Sequence, residues 1–127
     1  MTDTTQRQAK LAQRLYDMTK KKKINWKYDS FDDNVTAEFS KNKIAVEDGR
    51  DSEGSPFIMV TIYSLSDEEI DKFNDEDLKN LSTSDPEYSS FWKLMSQTLN
   101  LAKRQARGAD DAIDDILDEL DDDDVPF

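Results

Sequence analysis

The chain has 127 residues, a length that supports a single hydrophobic core and excludes an assembly of independently folding units. It contains neither Cys nor His, which removes disulfides, thiol catalysis and cysteine metal sites, together with the commonest general base and metal ligand. Hydrophobic residues make up 35% and charged residues 36%; the net charge of −12 is segregated, with +6 on residues 1–28, −12 on 29–92, +4 on 93–109 and −10 on 110–127, so this is not a uniform polyanion but a domain with an acidic appendage.

Residues 4–20 are good helix formers, with Leu11, Leu15 and Met18 on one face, and predict an amphipathic helix with a basic outer surface. The period then falls to two. Ile24, Trp26 and Tyr28, then Val35, Ala37 and Phe39, then Ile44 and Val46 alternate with polar residues and predict three short strands. Residues 29–34 and 40–43 read as turns, and residues 48–56, with Gly49 and Gly54, as a longer mobile loop. The run FIMVTIYSL at 57–65 predicts the central strand, with Ile58, Val60 and Ile62 on one face and Phe57, Met59, Thr61 and Tyr63 on the other.

Residues 66–69 fit either a capping box or a hairpin turn. The hairpin is preferred, leading to a strand around 70–73, because the acidic NDEDL that follows is the better helix start. Over 86–107 the spacing of Tyr88, Trp92, Met95, Leu99, Ala102 and Ala106 predicts a helix covering the sheet. Asp85 and Pro86 would serve as its N-cap and first turn, Lys103, Arg104 and Arg107 would sit at its dipole-favoured end, and Gly108 would stop it. The expected fold is therefore α+β: an N-terminal helix, an antiparallel meander of four or five strands, a C-terminal covering helix and an acidic tail. Residues 1–108 form the domain and 109–127 a flexible interaction tail.

Within that tail Ile113, Ile116, Leu117 and Leu120 share one helical face. Residues 109–120 are thus expected to form a short acidic amphipathic helix that orders when its apolar edge finds a surface. The end, Asp121, Asp122, Asp123, Asp124, Val125, Pro126 and Phe127, has the parts of a peptide ligand for a protein with a basic-rimmed hydrophobic pocket. Phe127 would enter the pocket, its α-carboxylate would pair at the rim, Pro126 would restrict the backbone and the aspartates would be drawn by surrounding bases. Burying the Phe contributes roughly 1.5–3 kcal/mol and a hydrogen bond to a charged group roughly 1.5–3 kcal/mol, short of the roughly 8 kcal/mol of a micromolar complex. The tip alone is a weak, salt-sensitive handle.

This ending resembles that of the bacterial single-stranded DNA-binding protein, which finishes in an acidic stretch and a tip of Asp residues, Ile, Pro and Phe; here Val125 stands in the Ile position. The resemblance covers only the last six or seven residues. It implies docking on replication, repair and recombination proteins that recognise such tips. The family's body is an oligonucleotide-binding barrel built mainly of strands, whereas this chain opens and closes its folded part with helices. A different domain carrying a similar tail, of the kind a phage or mobile element would direct at its host's pockets, fits better.

A second expectation concerns Lys20, Lys21, Lys22 and Lys23, followed by Trp26 and Tyr28. Basic residues interleaved with aromatics can bind single-stranded DNA or RNA through phosphate contacts and stacking. The acidic tail, with a reach of roughly 22–26 Å when flexible, could fold back and compete for that surface. A third reading takes the acids of residues 29–92 as a DNA mimic of an inhibitor, immunity or anti-defence protein. The pairs Asp32 with Asp33, Asp67 with Glu69 and Asp75 with Asp77 lack calcium-loop spacing. No phosphate-cradling Gly loop or activated Ser is present, and no enzymatic activity, cofactor or metal is expected. The opening residues lack the apolar core of a secretion signal and no run approaches the roughly 18 apolar residues of a membrane span, so a cytoplasmic protein without membrane contact is expected.

Overall fold

The computed structural model describes residues 3–84 and 86–121. Helix α1, Thr4–Lys20, is followed by strands β1 (Lys27–Asp29), β2 (Asn34–Glu38), β3 (Asn42–Arg50), β4 (Pro56–Ser64) and β5 (Glu69–Asn74). After a 3₁₀ turn, Asp75–Leu78, come helices α2 (Phe91–Ala106) and α3 (Ala109–Leu120). The five strands form one antiparallel sheet in sequential order, so the fold is α+β with a meander sheet.

The period-two pattern explains which face of the sheet is covered. Tyr28, Val35, Val46, Val60 and Phe73 lie side by side across the five strands, and their row meets Leu15 and Tyr16 of α1 and Leu94, Met95 and Leu99 of α2 in one core. Their neighbours Lys27, Thr36, Ala45, Thr61 and Lys72 form the next row on the opposite face, where Lys27 and Lys72 on the outer strands are exposed while Ala45 and Thr61 on β3 and β4 are buried. Asp3 caps α1 by accepting from the Gln6 amide at 2.8 Å, satisfying one of the unpaired donors of the first turn.

Several expectations need correction. The central strand is β3, not β4, although β4 is paired on both sides. β3 runs on through Asp48, Gly49 and Arg50, which pair with Ile58, Phe57 and Pro56. The expected loop thus shrinks to a turn held by Asp51, which accepts from the amides of Glu53 and Ser55 at 2.9 Å each. The absence of a side chain at Gly49 is what admits the Phe57 ring there, since a Cβ would lie 2.6 Å from its Cζ. The hairpin at 64–69 forms, whereas NDEDL closes only a 3₁₀ turn, with a reciprocal capping box between Asn74 and Asp77.

α2 begins five residues later than Pro86 suggests. Ser90 is its N-cap, accepting from the Lys93 amide at 3.2 Å; Asp85, expected in that role, lies outside the described residues. The later start changes the inner face. Phe91, Leu94, Met95, Thr98, Leu99 and Ala102 are buried, Trp92 is 39% exposed, and Tyr88 precedes the helix and meets Tyr16 edge-on at 5.2 Å.

Candidate functional site

The basic segment 20–23 begins at the last residue of α1 and continues through a turn in which Lys22 takes a left-handed backbone, φ 60°. Lys20, Lys21, Lys22 and Lys23 are all exposed. The two aromatics do not accompany them outward. Trp26 lies before β1 and is 4% exposed; its indole Nε1 donates to the Thr19 hydroxyl at 3.0 Å. This bond satisfies a donor that the core would otherwise strand, and it turns the ring away from any single strand passing over the lysines.

Tyr28 is half-buried and its hydroxyl donates to Asp33 at 2.8 Å. The Arg107 guanidinium lies 5.1 Å from its ring centroid, within cation–π range. Asp33 also meets the Lys103 ammonium at 3.2 Å. The Tyr28 hydroxyl and the Lys103 ammonium hold the Asp33 carboxyl below the usual carboxylate range, and the bond to that carboxylate raises the Tyr28 phenol above its ordinary value.

Lys103, Arg104 and Arg107, assigned from sequence to the dipole-favoured end of α2, therefore have neighbours far away in the chain. Gln105 donates to the Thr19 carbonyl at 2.7 Å, joining the ends of α1 and α2. Between them lies a cleft of about 250 Å³, with Lys22, Asn25, Arg104, Gln105 and Asp110 in its wall. A neighbouring hollow of about 280 Å³ is lined by Lys103, Arg104, Arg107 and Ala109. The positive segments 1–28 and 93–109 converge here; their charges were visible in the sequence, but their meeting was not.

The acidic extension leaves from the same place. Gly108, in the left-handed region at φ 69°, turns the chain from α2 into α3. Asp110, in the first turn of α3, sits 2.8 Å from Arg104 and 3.8 Å from Lys22. Beyond this root the helix stands away from the body. No residue of α3 is buried, and Ile113, Ile116, Leu117 and Leu120 are 47–56% exposed. The helix is formed, but its apolar edge is exposed where a covering surface is the expected condition for its order; it is anchored at its N-terminus, where Asp110 and Asp111 also favour the helix dipole. Asp121 follows it, exposed. The expected docking residues Asp122, Asp123, Asp124, Val125, Pro126 and Phe127 lie outside the described residues.

One exposed aromatic lies in a segment that the sequence predicts as a turn. Phe31, between β1 and β2, is 94% exposed; the Asp29 carboxylate accepts from its amide at 2.9 Å and from that of Asp32 at 3.3 Å. Among the described residues no group of three or more acidic side chains is placed to hold a metal ion, and no helix is long and apolar enough to cross a membrane. Comparison with protein-family models, with curated proteins and with solved structures finds no match to this chain.

Proposed function

We propose that the protein is a non-enzymatic adaptor or modulator of DNA metabolism, docking through its C-terminal extension on replication, repair or recombination proteins that recognise single-stranded DNA-binding-protein tips. The observation that carries this reading is α3. It is an amphipathic helix whose apolar stripe is about half exposed, with no residue buried among the described residues, and whose polar positions are all acidic; in the sequence it is followed by the aspartates, Val125, Pro126 and Phe127. A helix packed into its own core would have no such stripe to offer. The partner is a protein with a basic-rimmed apolar pocket. The helix and tip together supply what the tip alone lacks, because two linked contacts raise affinity through effective concentration. The reading puts the protein in the cytoplasm, where such partners act.

The experiment is a binding titration of the full chain against a purified tip-recognising protein, followed by competition with a synthetic single-stranded DNA-binding-protein tip peptide. Removal of Phe127 should abolish binding, and the peptide should displace the intact chain. Binding that survives both treatments would remove the tip from the mechanism.

A further inference from the structure

The cationic end built by α1 and α2 has a composition that the docking extension does not use. Lys22 comes from one segment and Lys103, Arg104 and Arg107 from another, and they line two adjoining hollows that share Arg104 and Ala109. Between Lys22 and Arg104 an anionic oxygen pair is already in place, that of Asp110. The chain's own carboxylate thus marks where a phosphate oxygen would be held. The acids at this end are Asp33, engaged by Tyr28 and Lys103, Asp111 in the cleft wall, and Asp29 and Asp32 on either side of Phe31, the Asp29 carboxylate being occupied by the amides of Phe31 and Asp32.

The β1–β2 turn is tied to the same end, because its Asp33 meets Lys103 at 3.2 Å and Tyr28 of β1 lies under Arg107. That turn carries Phe31, 94% exposed, whose amide donates to the Asp29 carboxylate at 2.9 Å. Trp26 and Tyr28 are occupied in the fold, so among the described residues Phe31 is the aromatic that this end presents to solvent.

We propose that this end of the molecule is a binding site for single-stranded nucleic acid, with backbone phosphates on Lys22, Arg104 and Arg107, an unstacked base on Phe31, and Asp110 displaced from between its two cations when the strand binds. Cations alone would accept any polyanion. The free ring selects a strand whose bases can leave their stack, since every base offers a face to an aromatic side chain but a duplex keeps those faces covered. Asp110 makes the site competitive: the root of the acidic helix must give way before a phosphate enters. The inference is independent of the tip and of any partner protein.

The test is fluorescence anisotropy of a labelled oligothymidylate titrated with the full chain, at low and at physiological salt. Saturable binding at low salt that weakens steeply as salt rises is expected, because each neutralised phosphate releases counterions. Phe31→Ala should weaken binding roughly fivefold or more, the lower end of a stacked base's contribution. Arg104→Glu and Lys22→Glu should each weaken it about tenfold or more, and Asp110→Asn should tighten it. All four positions are exposed, so unchanged melting curves will separate lost contacts from lost fold. The proposal fails if neither the native chain nor Asp110→Asn binds at low salt. It fails equally if Phe31→Ala changes nothing, if a duplex of equal length binds as well, or if inorganic pyrophosphate displaces the strand at concentrations typical of a simple phosphate site.

Discussion

Arg104 and Asp110 face each other across Gly108, guanidinium to carboxylate at 2.8 Å, and this pair sets where the acidic helix leaves the body. Beside it, α3 is held at its root only by the longer approach of Lys22 to Asp110 at 3.8 Å and by contact with α2, among the described residues, since nothing in the helix is buried. A twelve-residue helix is marginal on its own, so its order is tied to its root.

Asp110→Asn should therefore loosen α3 while leaving the domain intact. Amide hydrogen exchange over residues 111–120 is expected to accelerate severalfold, while exchange in β3 and β4 stays unchanged, because exposed ion pairs contribute little to global stability. Acceleration spread evenly over the sheet would show that α3 belongs to the cooperative unit instead.

Two leucines test the division between body and extension. Leu94 is 0% exposed and Leu117 is 47% exposed. Leu94→Ala should cost about 2–5 kcal/mol of unfolding free energy, combining lost transfer energy with a cavity, and Leu117→Ala should change it by less than about 0.5 kcal/mol. Urea denaturation followed by far-UV circular dichroism measures both. A cost of several kcal/mol at Leu117 would mean that the stripe is covered in solution.

What the sequence makes legible follows from how local the determining contacts are. Val35 with Ala37 and Ile44 with Val46 announce strands because one sheet face is buried, and burial on one face imposes a period of two whatever lies elsewhere. Asp85 with Pro86 and Ser90 are both good local starts for α2. The choice of Ser90 is tertiary, made by which helical face reaches the sheet, and it puts Leu94 inward and Trp92 outward. The fate of Trp26 is likewise decided by Thr19 on another element, and an alternating pattern of aromatics does not reveal a hydrogen bond of that kind. The candidate site was the least legible part. Lys103, Arg104 and Arg107 satisfy their own helix terminus and give no local sign that Lys22 lies beside them, while Phe31 in a polar turn carries no period at all.

The bond between Trp26 and Thr19 gives a third expectation. Thr19 is fully buried and its hydroxyl is the acceptor for the indole. Thr19→Val preserves shape but leaves the buried indole donor unpaired, at a cost of about 1–3 kcal/mol. Trp26→Phe in the Thr19→Val background removes that donor, so part of the cost should return, less whatever the smaller ring loses in packing. Denaturation midpoints of both single variants and the double variant form the cycle that measures the coupling. Strictly additive effects would show that the two side chains act separately.

Asp75 provides a pH dependence whose sign can be derived. It is buried at the start of the 3₁₀ turn, and its carboxylate accepts from the Ile58 amide at 2.8 Å. Desolvation raises its pKa above the ordinary carboxylate value, more than the backbone bonds to Ile58 and to its own amide lower it. A folded-state pKa above the unfolded one means that folding favours the protonated form. The stability Asp75 contributes is therefore complete below the unfolded pKa, near 3.9, and is lost as pH rises through the folded value. As pH rises, the native state is driven to hold charge in a site that disfavours it. Asp75→Asn keeps a carbonyl oxygen to accept from Ile58 and carries no charge. The variant should thus gain in urea midpoint relative to the native chain as pH rises from below 3.9 to neutrality, with the difference smallest at the acid end. A difference that narrows toward neutral pH would reverse the sign and show that the backbone bonds to the carboxylate outweigh its burial.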